Sequence, residues 1–267
     1  EILIGLVGSE MCIRDRSAAL RLYPDSNAQP LVDALAAYYD VKSEQVFVGV
    51  GSDDVLSMAF MTFFNSGKPI LFPDVTYSFY DVWAELFRIP YKQMPLDENF
   101  RLKIDDYKGE NGGIVFPNPN APTGIYESLD HVEEIIKNNP DVIVIVDEAY
   151  IDFGGETALP LVDKYDNLVV VRTFSKSRSM AGLRIGYAIS NPELIKALND
   201  VKYSYNSYTM NRPSLVLGVE SIHDDAYFRE KVGQIIATRE RFVKEIAELG
   251  FCLLYTSPSP RDRSVSR

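Results

Sequence analysis

Lys176 lies at the end of the run Val169-Val170-Val171-Arg172-Thr173-Phe174-Ser175-Lys176, where an apolar strand delivers an amine to a loop rich in serine and glycine. Arg184 follows within that loop, just ahead of Gly186. An amine can attack a carbonyl, and a guanidinium offers a planar fork to an anion. A second chemical position is Asp147, which closes the apolar run Val142–Val146. It falls at the carboxyl end of a buried strand, where ligands sit in open α/β sheets. A third is Gly49-Val50-Gly51-Ser52-Asp53-Asp54, between a strand and a helix, where backbone amides and the helix dipole suit a phosphate. It is no dinucleotide fingerprint, because Asp54 occupies the place of the third glycine. Each position alone has a plainer reading. Lys176 can be an exposed cation, Asp147 a helix cap, and the glycines an ordinary turn.

The elements that must carry these residues alternate. Gln45–Val50, Ile70–Phe72, Gly113–Phe116, Val142–Val146, Leu168–Val171 and Ile185–Ala188 read as short buried strands. Helical spacing marks Leu31–Tyr39, Asp53–Phe64, Ser78–Phe87, Leu129–Asn138, Pro192–Lys202, Arg212–Ile222 and Ala226–Leu249, with Ser52 or Asp53 expected to cap the second. This order predicts an α/β fold: a mostly parallel central sheet with helices on both faces. At 267 residues and 46% hydrophobic, the chain has ample material for such a core.

A net charge of −11 argues against a nucleic-acid surface and disfavours anionic membranes, and the apolar runs are too short to span a bilayer. The two histidines, His131 and His223, are far apart without ligand-spaced partners, so no metal site is expected and both are read as helix-surface residues.

The segment Ser175-Lys176 through Ala181-Gly182-Leu183-Arg184-Ile185-Gly186 resembles the Schiff-base segment of fold type I pyridoxal-phosphate enzymes, most closely the histidinol-phosphate aminotransferase branch. Other elements of that family recur in its order. Asp147-Glu148-Ala149-Tyr150 is similar to its Asp-Glu-Ala-Tyr element, which implies Asp147 at the pyridine nitrogen and Tyr150 at the ring hydroxyl. The resemblance assigns Gly51, Ser52 and Asp53 to the cofactor phosphate, with Ser175 and Arg184, and Tyr77 of Pro73–Tyr77 to stacking on the ring. Asn118-Pro119-Asn120-Ala121-Pro122-Thr123-Gly124 departs from the family's loop, having Ala121 where asparagine is expected; Asn120 is the nearest substitute as donor to the ring hydroxyl. Arg21-Leu22-Tyr23-Pro24 resembles the segment that sends a tyrosine to the neighbouring subunit's phosphate, implying a homodimer with shared sites through Tyr23.

The resemblance implies pyridoxal 5'-phosphate as cofactor, Lys176 as the catalytic lysine, and transamination of a small amino donor with a 2-oxo acid. The pair it favours is histidinol phosphate with 2-oxoglutarate, in histidine biosynthesis. An aromatic amino-acid aminotransferase and a threonine-phosphate decarboxylase-like enzyme are the neighbouring alternatives. A non-catalytic binding protein is the alternative from another class.

Two peptides fit nothing around them: Leu6–Asp15 and Cys252–Asp262. Opposite strands of one stretch of DNA can encode both, and that DNA resembles a transposon-type sequencing adapter. Residues 1–17 and 252–267 are therefore expected to be non-native, 18–225 to form the cofactor-binding large domain, and 226–251 to begin a C-terminal small domain that is largely missing. Cys12 and Cys252 are the only cysteines, so the credible portion has none, which is compatible with a cytoplasmic protein. Adapter-free coverage of the source DNA across both junctions would refute this expectation.

Overall fold

The computed structural model describes residues 21–251, and the paired terminal peptides lie outside the described residues. The strands are β1 (Val46–Gly49), β2 (Ile70–Pro73), β3 (Tyr91–Met94), β4 (Ile114–Pro117), β5 (Val144–Asp147), β6 (Leu168–Thr173) and β7 (Gly186–Ser190). They form one sheet in the order β1-β7-β6-β5-β4-β2-β3. The run from β3 to β6 is parallel, while β7 is antiparallel to both β6 and β1. No α-helix lies between β6 and β7, only a short 3-10 turn at Ala181–Leu183. Without a helical crossover the chain folds straight back, which makes β7 antiparallel.

Side chains alternate across the pleat, so each central strand feeds two cores. Ile114, Phe116, Val144, Val146, Leu168 and Val170 face one layer, which contains α1 (Gln29–Tyr39), α4 (Leu129–Asn138) and α6 (Arg212–His223). Val115, Ile145, Val169 and Val171 face the other, with α2 (Ser52–Phe63), α3 (Tyr80–Leu86) and α5 (Pro192–Tyr205). Burial on both faces is why these strands read as continuous apolar runs rather than alternating ones. The 24-residue α7 (Asp225–Glu248) follows α6 directly, and Arg239 on it donates from Nη1 to the Phe153 carbonyl oxygen at 2.8 Å.

Three local expectations are corrected. β3 was not anticipated: Tyr91-Lys92-Gln93-Met94 is a partly exposed edge strand, so it lacks the apolar signal of its neighbours. α3 starts two residues later and ends one earlier than its spacing suggests. The cap of α2 is neither Ser52 nor Asp53 but Gly51, with φ 84°, and no side chain caps the helix. Glycine reaches that backbone region without the Cβ penalty other residues meet. His131 and His223 are exposed on helices, as expected. Among the described residues, no helix is long and apolar enough to cross a membrane.

Candidate active site

Parallel pairing brings the chemical residues to one edge of the sheet. Pro117 is in register with Asp147, Asp147 with Val171, and Thr173 with Gly186. Segments leaving these strand ends carry Tyr77, Asn120, Tyr150, Ser175 and Lys176, while Gly49, the last residue of β1, pairs with Gly186 on the same edge. Residues more than a hundred positions apart therefore surround one space.

At its floor, Asp147 is buried. Its Oδ2 accepts from the Tyr80 hydroxyl at 3.0 Å, and Oδ1 accepts from the Ala149 amide at 3.2 Å. Burial pushes the carboxyl up to about 6, against the pull of these two donors. A buried carboxylate held in this way is primed for a cationic partner, because any positive group placed on it relieves the desolvation. Tyr80 is itself fully buried, and burial, followed by the nearby Asp147, drives its hydroxyl well above the usual tyrosine range. It therefore stays a proton donor to Asp147.

The Lys176 ammonium lies 4.7 Å from the centroid of the buried Tyr150 ring, within cation–π range. Its loop is tied down on the adjacent residue. Ser177 donates from Oγ to Asp152 Oδ2 at 2.5 Å, and Asp152 Oδ1 takes Arg172 Nη1 at 3.5 Å. Arg172 is buried and meets Glu148 through Nε and Nη2, each 2.9 Å from Oε2, and donates from Nη1 to Tyr39 Oη at 2.9 Å. Glu148 in turn accepts from Thr157 and the Ala158 amide. This network joins the strand carrying Lys176 to the segment carrying Asp147 and Tyr150. Removing one partner of such a buried pair costs about 3–5 kcal/mol, since the other charge is left uncompensated.

The third part is the glycine turn. The first amides of α2, from Ser52, Asp53 and Asp54, have no carbonyl one turn behind to accept from them. Arg184 leans over the turn: a Cβ on Gly51 would lie 2.6 Å from Arg184 Nη2. A Cβ on Gly186 would lie 2.2 Å from the Gly51 carbonyl carbon, a backbone clash that excludes a side chain there, while at Gly51 the positive φ of 84° is what disfavours one. Arg184 Nη2 donates to Asp53 Oδ2 at 3.1 Å, and Tyr77 Oη donates to Asp53 Oδ1 at 2.8 Å. Burial, with Asp53 adding to it, raises the Tyr77 hydroxyl above its ordinary range. Thr173 Oγ1 donates to Ser175 Oγ at 3.0 Å and accepts from the Ser175 amide at 3.1 Å, which sets the serine beside the lysine.

Two further candidates are placed as follows. The Asn120 carboxamide nitrogen donates to the Val75 carbonyl at 2.9 Å and to Thr123 Oγ1 at 3.0 Å, and its oxygen accepts from Thr76 at 3.2 Å. Both of its protons have partners within the protein, so Asn120 braces two loops against each other. Asn118 is committed likewise, to the Glu127 backbone. Tyr23 stands apart from this cluster at 77% exposure, its ring 4.8 Å from Tyr208. The sequence reading missed Tyr80 and the Arg172 network. Tyr80 lies three positions after Tyr77, across the turn that leads into α3, with its ring 5.7 Å from that of Tyr77 in an edge contact.

The sequence pattern of the family described as aminotransferase class I and II matches residues 12–257. The chain belongs to that family. It is 53% identical over 236 residues to the histidinol-phosphate aminotransferase of Lactococcus lactis subsp. cremoris (strain MG1363), covering 88% of this chain and 66% of that protein. It is 49% identical over 245 residues to the histidinol-phosphate aminotransferase of Acinetobacter baylyi, covering 92% of this chain and 68% of the relative. The chain thus spans about two thirds of these relatives' length. In fold it is similar to the Sinorhizobium meliloti histidinol-phosphate aminotransferase solved in complex with pyridoxal-5'-phosphate, with a TM-score of 0.81 at 22% identity, covering 93% of this chain and 67% of that one.

Proposed function

We propose that this chain carries the cofactor-binding part of a pyridoxal-phosphate-dependent aminotransferase acting on histidinol phosphate and 2-oxoglutarate. The observation that carries the reading is the single edge that gathers a buried carboxylate, an amine over a tyrosine ring, and a side-chain-free turn beneath a guanidinium. Pyridoxal phosphate needs these three features. A Cβ at Gly186 would close the cradle against the Gly51 backbone, and Gly51 itself takes a positive φ, as expected of a turn that approaches a bulky anion. The identity to histidinol-phosphate aminotransferases over most of the chain supports the choice of substrates.

When bound, the cofactor supplies a conjugated pyridinium that acts as an electron sink. In this reading Asp147 holds the proton of the ring nitrogen, and Tyr80 holds Asp147. Tyr150 serves the ring hydroxyl, and Tyr77 covers one ring face. Gly51, Ser52, Asp53, Ser175 and Arg184 hold the phosphate. Lys176 Nζ would take the proton from the donor's α-carbon as base and deliver it as acid to the cofactor carbon. Asn120 keeps the loop beneath Tyr77 in place. We place Tyr23 at the phosphate of a second copy in a homodimer, consistent with its exposure, and the enzyme in the cytoplasm. In the same reading 18–225 form the large domain and 226–251 lead into a smaller one, with non-native residues at 1–17 and 252–267.

Borohydride treatment of the chain mixed with pyridoxal phosphate should leave the cofactor covalently attached at Lys176, read by peptide mass spectrometry, and Lys176→Ala should abolish the label. Absence of label in the wild-type chain would favour a non-catalytic binding protein. The product of the uninterrupted gene should convert histidinol phosphate in preference to phenylalanine or threonine phosphate. Activity confined to either of the latter would overturn the substrate assignment.

A further inference from the structure

Lys202 is the single lysine that is buried among the described residues, at 1% exposure, and the steps above do not use it. It sits in the last turns of α5, and its Nζ lies 3.4 Å from the Val48 carbonyl oxygen and 5.5 Å from the Phe47 ring centroid. Burying an ammonium is costly even after relaxation unless something compensates it. Burial does push Lys202 down, and the largest opposing influence is Asp54. Asp54 folds back over Gly49, where a Cβ would meet its Oδ2 at 2.8 Å, and accepts from the Val50 amide at 2.8 Å. Lys202 and Asp54 therefore grip the strand end and turn that lead into the phosphate cup, one on a carbonyl and one on an amide.

The same arrangement solves an electrostatic problem. α2 opens with two acids, Asp53 and Asp54, in its first turn. Acids there suit the helix dipole but repel an incoming phosphate. Arg184 pairs with Asp53 on the exposed side, and on the buried side Lys202 Nζ reaches the Val48 carbonyl while Asp54 Oδ2 takes the Val50 amide, which sets these two charges at one strand end. We propose that Lys202 is a positioning residue for the cofactor phosphate, offsetting Asp54 so that the cup accepts a dianion. This rests on the phosphate site proposed above.

Isothermal titration of the chain with pyridoxal phosphate and with pyridoxal, which lacks the phosphate, separates this role from a merely structural one. Lys202→Met keeps the volume and removes the charge. It should weaken pyridoxal phosphate by about tenfold or more, while changing pyridoxal by less than about twofold, as loss of one nearby opposite charge implies. Adding Asp54→Asn to Lys202→Met should restore most of the loss, because the repelling carboxylate is then gone. Equal losses for both ligands, no loss, or no restoration in the double variant would overturn the proposal. A wild-type chain that does not prefer pyridoxal phosphate to pyridoxal would instead bring down the phosphate site itself, and Lys202's role with it.

Discussion

Replacing Asp147 by asparagine should stabilise the protein while damaging its cofactor site. Burial raises the carboxyl from 3.8 to about 6, so the folded chain holds this proton more tightly than the unfolded chain does. Stability from this group is therefore greatest below about pH 4 and is lost as pH rises through about 6. Holding the proton about a hundredfold more tightly, at about 1.4 kcal/mol per tenfold, leaves about 3 kcal/mol of strain at neutral pH. Asparagine never ionises and escapes that strain. It offers one acceptor where the carboxylate offers two, so either the Tyr80 hydroxyl or the Ala149 amide loses a partner, at about 1 kcal/mol. The net gain at about pH 7.5 is then about 2 kcal/mol. Urea unfolding followed by circular dichroism, for both chains at about pH 7.5 and about pH 4.5, measures it. The gain should shrink at the lower pH, where wild-type Asp147 is protonated when folded. With saturating pyridoxal phosphate the ranking should reverse, because only the carboxylate can pair with a protonated ring nitrogen. A variant no more stable than wild type at about pH 7.5, or a gain independent of pH, would refute the reasoning.

Two further outcomes follow from the geometry. Arg172→Met should destabilise the chain by about 3–5 kcal/mol in urea, by stranding buried Glu148, and adding Glu148→Gln should recover part of that loss. Gly186→Ala should lower pyridoxal phosphate affinity at least tenfold, or about 1.4 kcal/mol by titration calorimetry, because its Cβ would overlap the Gly51 backbone. Gly182→Ala, whose Cβ meets nothing within 4 Å, should leave that affinity within about twofold.

Most strands and helices were legible because their evidence is local. Val142–Val146 and Leu168–Val171 are β-branched runs bounded by polar residues, and Leu129–Asn138 has a helical apolar stripe behind the Ser128 cap. β3 was not legible: a short edge strand half open to water has no reason to be apolar, and only its pairing with β2 defines it. The Lys176, Asp147 and glycine-turn segments could be picked out because their chemistry lies within a few consecutive residues. The roles of their neighbours could not.

The linear order of residues thus determined the element types, the chemical groups at the strand ends, and the family to which the chain belongs. Which group touches which was decided by tertiary structure alone. Tyr80 reaches Asp147 across 67 positions, Arg184 reaches Asp53 across 131, and Lys202 reaches Val48 across 154. Such pairs leave no periodic trace, because the partners lie on different elements and meet only when the sheet sets its strand order. The commitment of Asn120 to its own loop is of the same kind. Its residue type advertises a donor, and only the folded positions of Val75 and Thr123 consume both of its protons.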